Sequence, residues 1–189
     1  MRSELKWLMV VIALQSLWVL GMVVTCETQI RRGAVVLLET ATIDPRDWLR
    51  GDYLILNYRI STVPTNLISG FVTNAPAPGT PIFVRLSRQG PFHRVESASM
   101  RPVEAKDGSP VLRGRISERS AWWPGRRGST NVSVIVDYGL ERYYVREGTG
   151  SPTGTLTVEA TVATSGNGFI RQVFLDGKPY AEAMRGQAR

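Results

Sequence analysis

At 189 residues with 43% hydrophobic side chains, the chain has room for an anchor and one domain with a real core, which excludes a mostly disordered protein. Its 23 basic and 16 acidic residues give a formal charge of +7, but the charges are scattered among one another without a recognition motif, which argues against a nucleic-acid partner. One cysteine, Cys26, excludes an intrachain disulfide and a cysteine-built metal site.

The first element is a helix. From Trp7 to Val24 the chain runs eighteen residues without a charge, roughly 27 Å of helix at about 1.5 Å per residue, close to a hydrocarbon core of about 30 Å. Thr25 and Cys26 complete the span, and Trp7, Arg2, Lys6, Arg31 and Arg32 suit the interfaces. A cleaved signal peptide has a shorter apolar region and a small-residue site, and this stretch has no Ala-x-Ala. A lipoprotein reading of Val23-Val24-Thr25-Cys26 puts Thr25 where a smaller residue is normal. Basic residues on the two flanks nearly tie, so the expected orientation, N-terminus cytoplasmic and the rest external, rests on the habit of short-tailed anchors. The organisation expected is a cytoplasmic tip and transmembrane anchor over 1–26, then an extracytoplasmic β-rich domain over 27–189.

In that second part, residues 34–39 form an apolar run, and Asp44, Pro45 and Asp47 supply turn chemistry after it. Residues 51–60 then give the strongest strand pattern, with Leu54, Leu56, Tyr58 and Ile60 on a core face and Tyr53, Ile55, Asn57 and Arg59 on the other. A short helix is expected within 61–70. Further strands are expected at 82–86, 92–97, 111–116, 132–138, 142–145, 156–162 and 169–175, between Gly, Pro, Ser or Asn clusters. The tail from Glu182 is expected to fray. The fold class is therefore mainly β: a single N-terminal transmembrane helix followed by one compact β-rich domain.

Gly51, Asp52, Tyr53, Leu56 and Tyr58 spell Gly-Asp-Tyr-x-x-Leu-x-Tyr, and the chain resembles the bacterial membrane-anchored family named after that pattern, the GDYXXLXY proteins. The likeness extends through residues 37–40, 44–47, 112–115 and 138–148, and departs at Arg146, where a proline is expected in a Pro-Glu-Gly turn. The resemblance implies a companion of a multi-spanning membrane protein and carries no catalytic residues, for the family's function is uncharacterised.

Gly51, Asp52 and Tyr53 could form a recognition surface with Asn57; the structural alternative makes Gly51 and Asp52 a turn and packs Leu56 and Tyr58 inside. Gly-Asp before a hydrophobic strand also resembles signal peptidases, but no serine lies between the anchor and Gly51, and Lys106 and Lys178 sit in turns that suit solvent better than a desolvated base. His93, the only histidine, reads as a surface or strand-edge residue rather than a triad member or a zinc ligand. Asp44, Asp47 and Asp52 have arginines between them and no calcium-loop spacing. Arginines 113–127 alternate with Trp122 and Trp123, and Trp122, Trp123, Arg126 and Arg127 are the candidate contact with lipid or partner.

No cofactor, metal or small-molecule substrate is indicated. The function expected is a non-catalytic accessory or interaction protein of the bacterial inner membrane, touching the lipid bilayer and a multi-spanning membrane protein. The alternatives are a signal-peptidase-like tethered hydrolase and a module that binds cell-envelope polymers.

Overall fold

The computed structural model describes residues 2–40, 53–70, 76–104, 108–122, 133–145, 152 and 154–187. Its first element, α1 (Arg2–Arg32), is rich in Leu, Val and Met and has no proline. The hydroxyls of Thr25 and Thr28 fold back onto the carbonyls of Gly21 and Thr25 at 2.7 and 2.8 Å, which satisfies them within the helix. None of the apolar window of Lys6–Arg32 is buried, and the helix is long and apolar enough to cross a membrane.

One residue separates this helix from the β domain, because β1 (Ala34–Glu39) begins directly after Gly33. A Cβ on Gly33 would overlap Thr161 Cγ2 and stand 2.7 Å from the Val162 carbonyl oxygen, so only glycine passes that corner without displacing backbone.

Among the described residues twelve strands follow, from β1 to β12 (Lys178–Pro179). β1 pairs with β10 (Leu156–Val162), which pairs with β11 (Gly168–Leu175) and so to β12, all antiparallel. A second sheet runs β3 (Thr62–Pro64), β8 (Ser133–Asp137), β7 (Val111–Ile116), β5 (Pro81–Gln89), β6 (Phe92–Ser99) and β4 (Ile68–Ser69). A two-stranded ribbon joins β2 (Tyr53–Ile55) to β9 (Arg142–Tyr144).

Strict alternation builds the core. Val36 and Leu38 of β1, Ile82, Val84 and Leu86 of β5, Val134 and Val136 of β8, and Val158 of β10 all point inward and are almost wholly excluded from solvent. These residues form one cluster shared by the two sheets, and the same period leaves Arg113 and Arg115 of β7 exposed beside buried Leu112 and Ile116. Gly114 sits inside this face, where a Cβ would overlap Val136.

The expected strands are present in the described residues. The segment 53–60 keeps the expected faces: Leu54, Leu56, Tyr58 and Ile60 are buried, and Ile55 and Arg59 are exposed. It is less regular than its sequence suggests, being a strand only over Tyr53–Ile55, with an isolated bridge from Tyr58 to Thr40 and a 3-10 turn over Arg59–Ser61. The helix expected within 61–70 is one 3-10 turn, Thr65–Leu67.

The C-terminus corrects the expectation of fraying. Residues Tyr180–Gln187 form α2, and Tyr180 and Met184, four residues apart and so on one face, are 3% and 6% exposed in the core.

Candidate functional site

The two longest stretches of family likeness, distant in sequence, are one structural unit. β2 and β9 pair antiparallel with Tyr53 opposite Tyr144, Leu54 opposite Tyr143 and Ile55 opposite Arg142, and Leu56 N donates to the Glu141 carbonyl at 2.8 Å. Tyr58 then donates its hydroxyl to the Leu140 carbonyl at 2.7 Å, and Tyr138 donates its own to the Ile60 carbonyl at 2.8 Å. Each tyrosine thus satisfies a backbone acceptor in the other's segment. Burial, and after it the charge of Glu141, pushes both phenols above their ordinary range. The Glu141 carboxylate in turn accepts from Tyr138 N, tying the turn over Gly139, whose φ is +80°.

The unit forms one wall of an open cleft of about 780 Å³, lined also by Arg113, Arg115, Arg119 and Asp137. Three arginines face Glu118, Asp137 and Glu141 there, so opposite charges balance and the cleft is no simple anion trap. Arg119 pairs with Asp137 at 3.0 Å, and Arg115 donates to the Gly79 carbonyl at 3.3 Å. The nearby hydroxyls are occupied: Ser117 Oγ accepts from the Arg119 guanidinium, and Ser120 Oγ donates to Ile135 O and accepts from Ile135 N. Such a surface can hydrogen-bond a partner's polar groups; none of these serines is poised beside a base.

A third arrangement joins the sheets at their edges. Leu37 N on β1 donates to His93 Nδ1 on β6 at 3.1 Å, and Glu39 accepts from Arg94 at 2.6 Å and pairs with Arg59 at 3.0 Å. A backbone N–H can only donate, so Nδ1 is bare and His93 is neutral, its proton on Nε2. Burial first, and the Arg88 charge as well, hold its pKa below the usual histidine value. His93 is therefore a half-buried strap between sheets, and its one lone-pair nitrogen is already committed.

Gly51, Asp52, Trp123, Arg126 and Arg127 lie outside the described residues, as do Asp44, Asp47 and Arg146. Tyr53 belongs to β2 and Trp122 closes a 3-10 turn over Glu118–Trp122, whereas Leu56 and Tyr58 are core. Among the described residues no three His, Cys, Asp or Glu side chains gather where they could hold a metal ion.

The pairing of β2 with β9 was not readable from either segment, since register between distant strands depends on everything folded between them.

No curated protein and no solved structure matches the chain. A family model described as GDYXXLXY protein matches residues 15–173, a stretch that begins inside α1 and includes all of the first eleven strands except the last two residues of β11. The chain belongs to the GDYXXLXY family.

Proposed function

We propose that this protein is a non-catalytic accessory subunit of the bacterial inner membrane, anchored by α1, with its β domain outside the cytoplasm and a multi-spanning membrane protein as its partner. The observation that carries the reading is the single-residue joint at Gly33 between α1 and β1. A catalyst or a scavenging module on a tether gains reach from a flexible linker; here there is none. Lys6–Arg32 is 27 residues, roughly 40 Å of helix, about the thickness of a bilayer with its headgroups. The domain therefore begins at the headgroup surface and can engage only what stands beside it.

The bilayer itself is the second contact. Arg31 and Arg32 at the helix end suit anionic headgroups, and Trp122, Trp123, Arg126 and Arg127 extend the same chemistry in sequence.

The test is purification of the tagged full-length chain in a gentle detergent, with identification of whatever accompanies it in stoichiometric amount. A multi-spanning protein is the expected companion. A chain that purifies alone, and is retained instead on anionic glycans in a salt-sensitive way, would replace this reading with that of an envelope-polymer module.

A further inference from the structure

The apolar run of α1 is interrupted at its middle by Gln15. A primary amide carries two donor hydrogens and an acceptor oxygen, and the side chain of Gln15 is exposed on the surface of α1. The run 7–24 is centred at Gln15 and Ser16, so with α1 across a bilayer this amide lies near the hydrocarbon midplane, where no water can satisfy it.

Steps of three and four residues place Val11, Gln15, Trp18, Met22, Thr25 and Gln29 on one stripe of the helix. Beside it Gly21, where a Cβ would meet nothing within 4 Å, opens a groove of about 700 Å³ whose lining includes Leu14, Leu17, Trp18, Met22, Thr25 and Gln29. The groove's upper end meets the domain, because Ser165 Oγ donates to Gln29 Oε1 at 3.2 Å. Ser165 in turn lines a cleft of about 590 Å³ whose walls include Phe83, Pro110, Val111 and Val162. One continuous surface runs from the middle of α1 into the β domain.

We propose that this surface docks a transmembrane helix of a different membrane protein, a polar side chain of which hydrogen-bonds Gln15, with the segment after that helix entering the Phe83 and Val111 cleft. The inference rests on the reading of α1 as a membrane span in an accessory subunit, and it names where the partner binds. Interhelical amide bonds and close approach over glycine are the contacts that hold helices together in lipid, where burial of apolar side chains gives no drive. A second copy of this chain does not fit the stripe. In a parallel symmetric pair Gln29 would face Gln29, and the turn carrying Ser165 occupies that space. A helix that ends at the level of Thr25 passes beneath the turn.

The experiment places a photo-crosslinking amino acid in the full-length chain, in its native membrane, at Val11 or Met22 on the stripe and at Met9 or Leu20 on the opposite face. The stripe positions are expected to give one adduct with a different protein, and the opposite face none. Gln15→Leu keeps the helix apolar and should weaken that adduct by between about threefold and thirtyfold, the range interhelical side-chain bonds span in membranes. An adduct of two copies of this chain, equal adducts from both faces, or a yield indifferent to Gln15→Leu would each overturn the docking stripe, even where a multi-spanning protein copurifies. Release of the chain by alkaline washing would instead overturn the membrane span, and the stripe with it.

Discussion

Tyr58 and Tyr138 hold each other's strands closed: the Tyr58 hydroxyl reaches the Leu140 carbonyl and the Tyr138 hydroxyl reaches the Ile60 carbonyl, at 2.7 and 2.8 Å. Both rings are in the core, so neither carbonyl has water to fall back on. The last tyrosine of the motif that names the family is thus half of a clasp, and its other half lies in the 138–148 stretch. The open cleft beside it inherits its shape from this clasp, since Tyr138, Gly139 and Glu141 are its wall.

Tyr58→Phe and Tyr138→Phe each keep the ring and strand a buried carbonyl. Each should cost about 1–3 kcal/mol, the penalty of an unsatisfied buried acceptor. Denaturant unfolding of the full chain in detergent, followed by circular dichroism, reads the loss. A change of under about 0.3 kcal/mol for both would mean that the carbonyls find other donors and that the clasp contributes nothing.

The same burial sets an alkaline limit. A phenol whose folded pKa is raised contributes stability that is complete below the unfolded value of about 10 and is lost as pH rises beyond it. Tyr58 and Tyr138 are raised in this way. On titration at 295 nm fewer than six phenolates, the number of tyrosines in the chain, should form while the β signal persists, and the last should appear together with unfolding. A full set of phenolates in a folded chain would contradict the burial.

His93 gives the opposite sign. Its pKa is lowered in the fold, so its contribution is present above the unfolded value of about 6.5 and is lost as pH falls through the lower folded value. Protonation puts a second N–H against Leu37 N and opens the strap between β1 and β6. His93→Gln supplies an acceptor that does not titrate, and should flatten the dependence of melting temperature on pH below about 6.5. The imidazole resonances of the only histidine follow the same event directly. An unchanged slope in the variant would assign the acid sensitivity elsewhere.

What sequence could yield here was local. Period two fixed the inward face of 54–60, the expected strands at 111–116 and 156–162 coincide with β7 and β10, and the apolar run at 34–39 is β1, because each is an apolar or alternating run with a glycine, proline or other turn-forming residue at one end or both. The ribbon of β2 and β9 was hidden, since nothing in Tyr53-Leu54-Ile55 names Arg142-Tyr143-Tyr144 as its partner. α2 was missed for another reason. Its glycine at position 186 and eight-residue length give weak propensity, and it is held by packing, with Tyr180 edge-on to Tyr143 at 5.9 Å between ring centroids. Gln15 was in plain view, but a count of charges passes over an amide.

That packing makes the C-terminus testable. Tyr180→Ala would open a cavity under α2, and large-to-small core changes of this kind cost about 3–5 kcal/mol. Removing the chain from Tyr180 onward should cost at least as much, as Met184 leaves with it. Melting should show a larger loss for the truncation than for Tyr180→Ala if both core residues hold the helix. A truncated chain as stable as the full one would show that α2 merely rests on a core already complete without it.

The joint at Gly33 offers the sharpest separation of fold from role. Eight Gly and Ser residues inserted between Arg32 and Gly33 leave the Gly33 corner against Thr161 and Val162 intact and add roughly 16 Å of root-mean-square reach. The cost to the domain itself should be small, because lengthening a surface connection adds little loop entropy. What the insertion removes is the fixed height of the domain above the helix, together with the bond from Ser165 to Gln29. If helix and domain grip one partner at once, each grip raises the effective concentration for the other, and uncoupling them should lower recovery of the partner by about tenfold or more. Undiminished recovery from a chain with an unaltered melting temperature would mean that helix and domain act independently, and the short joint would then be an accident of the fold rather than part of its work.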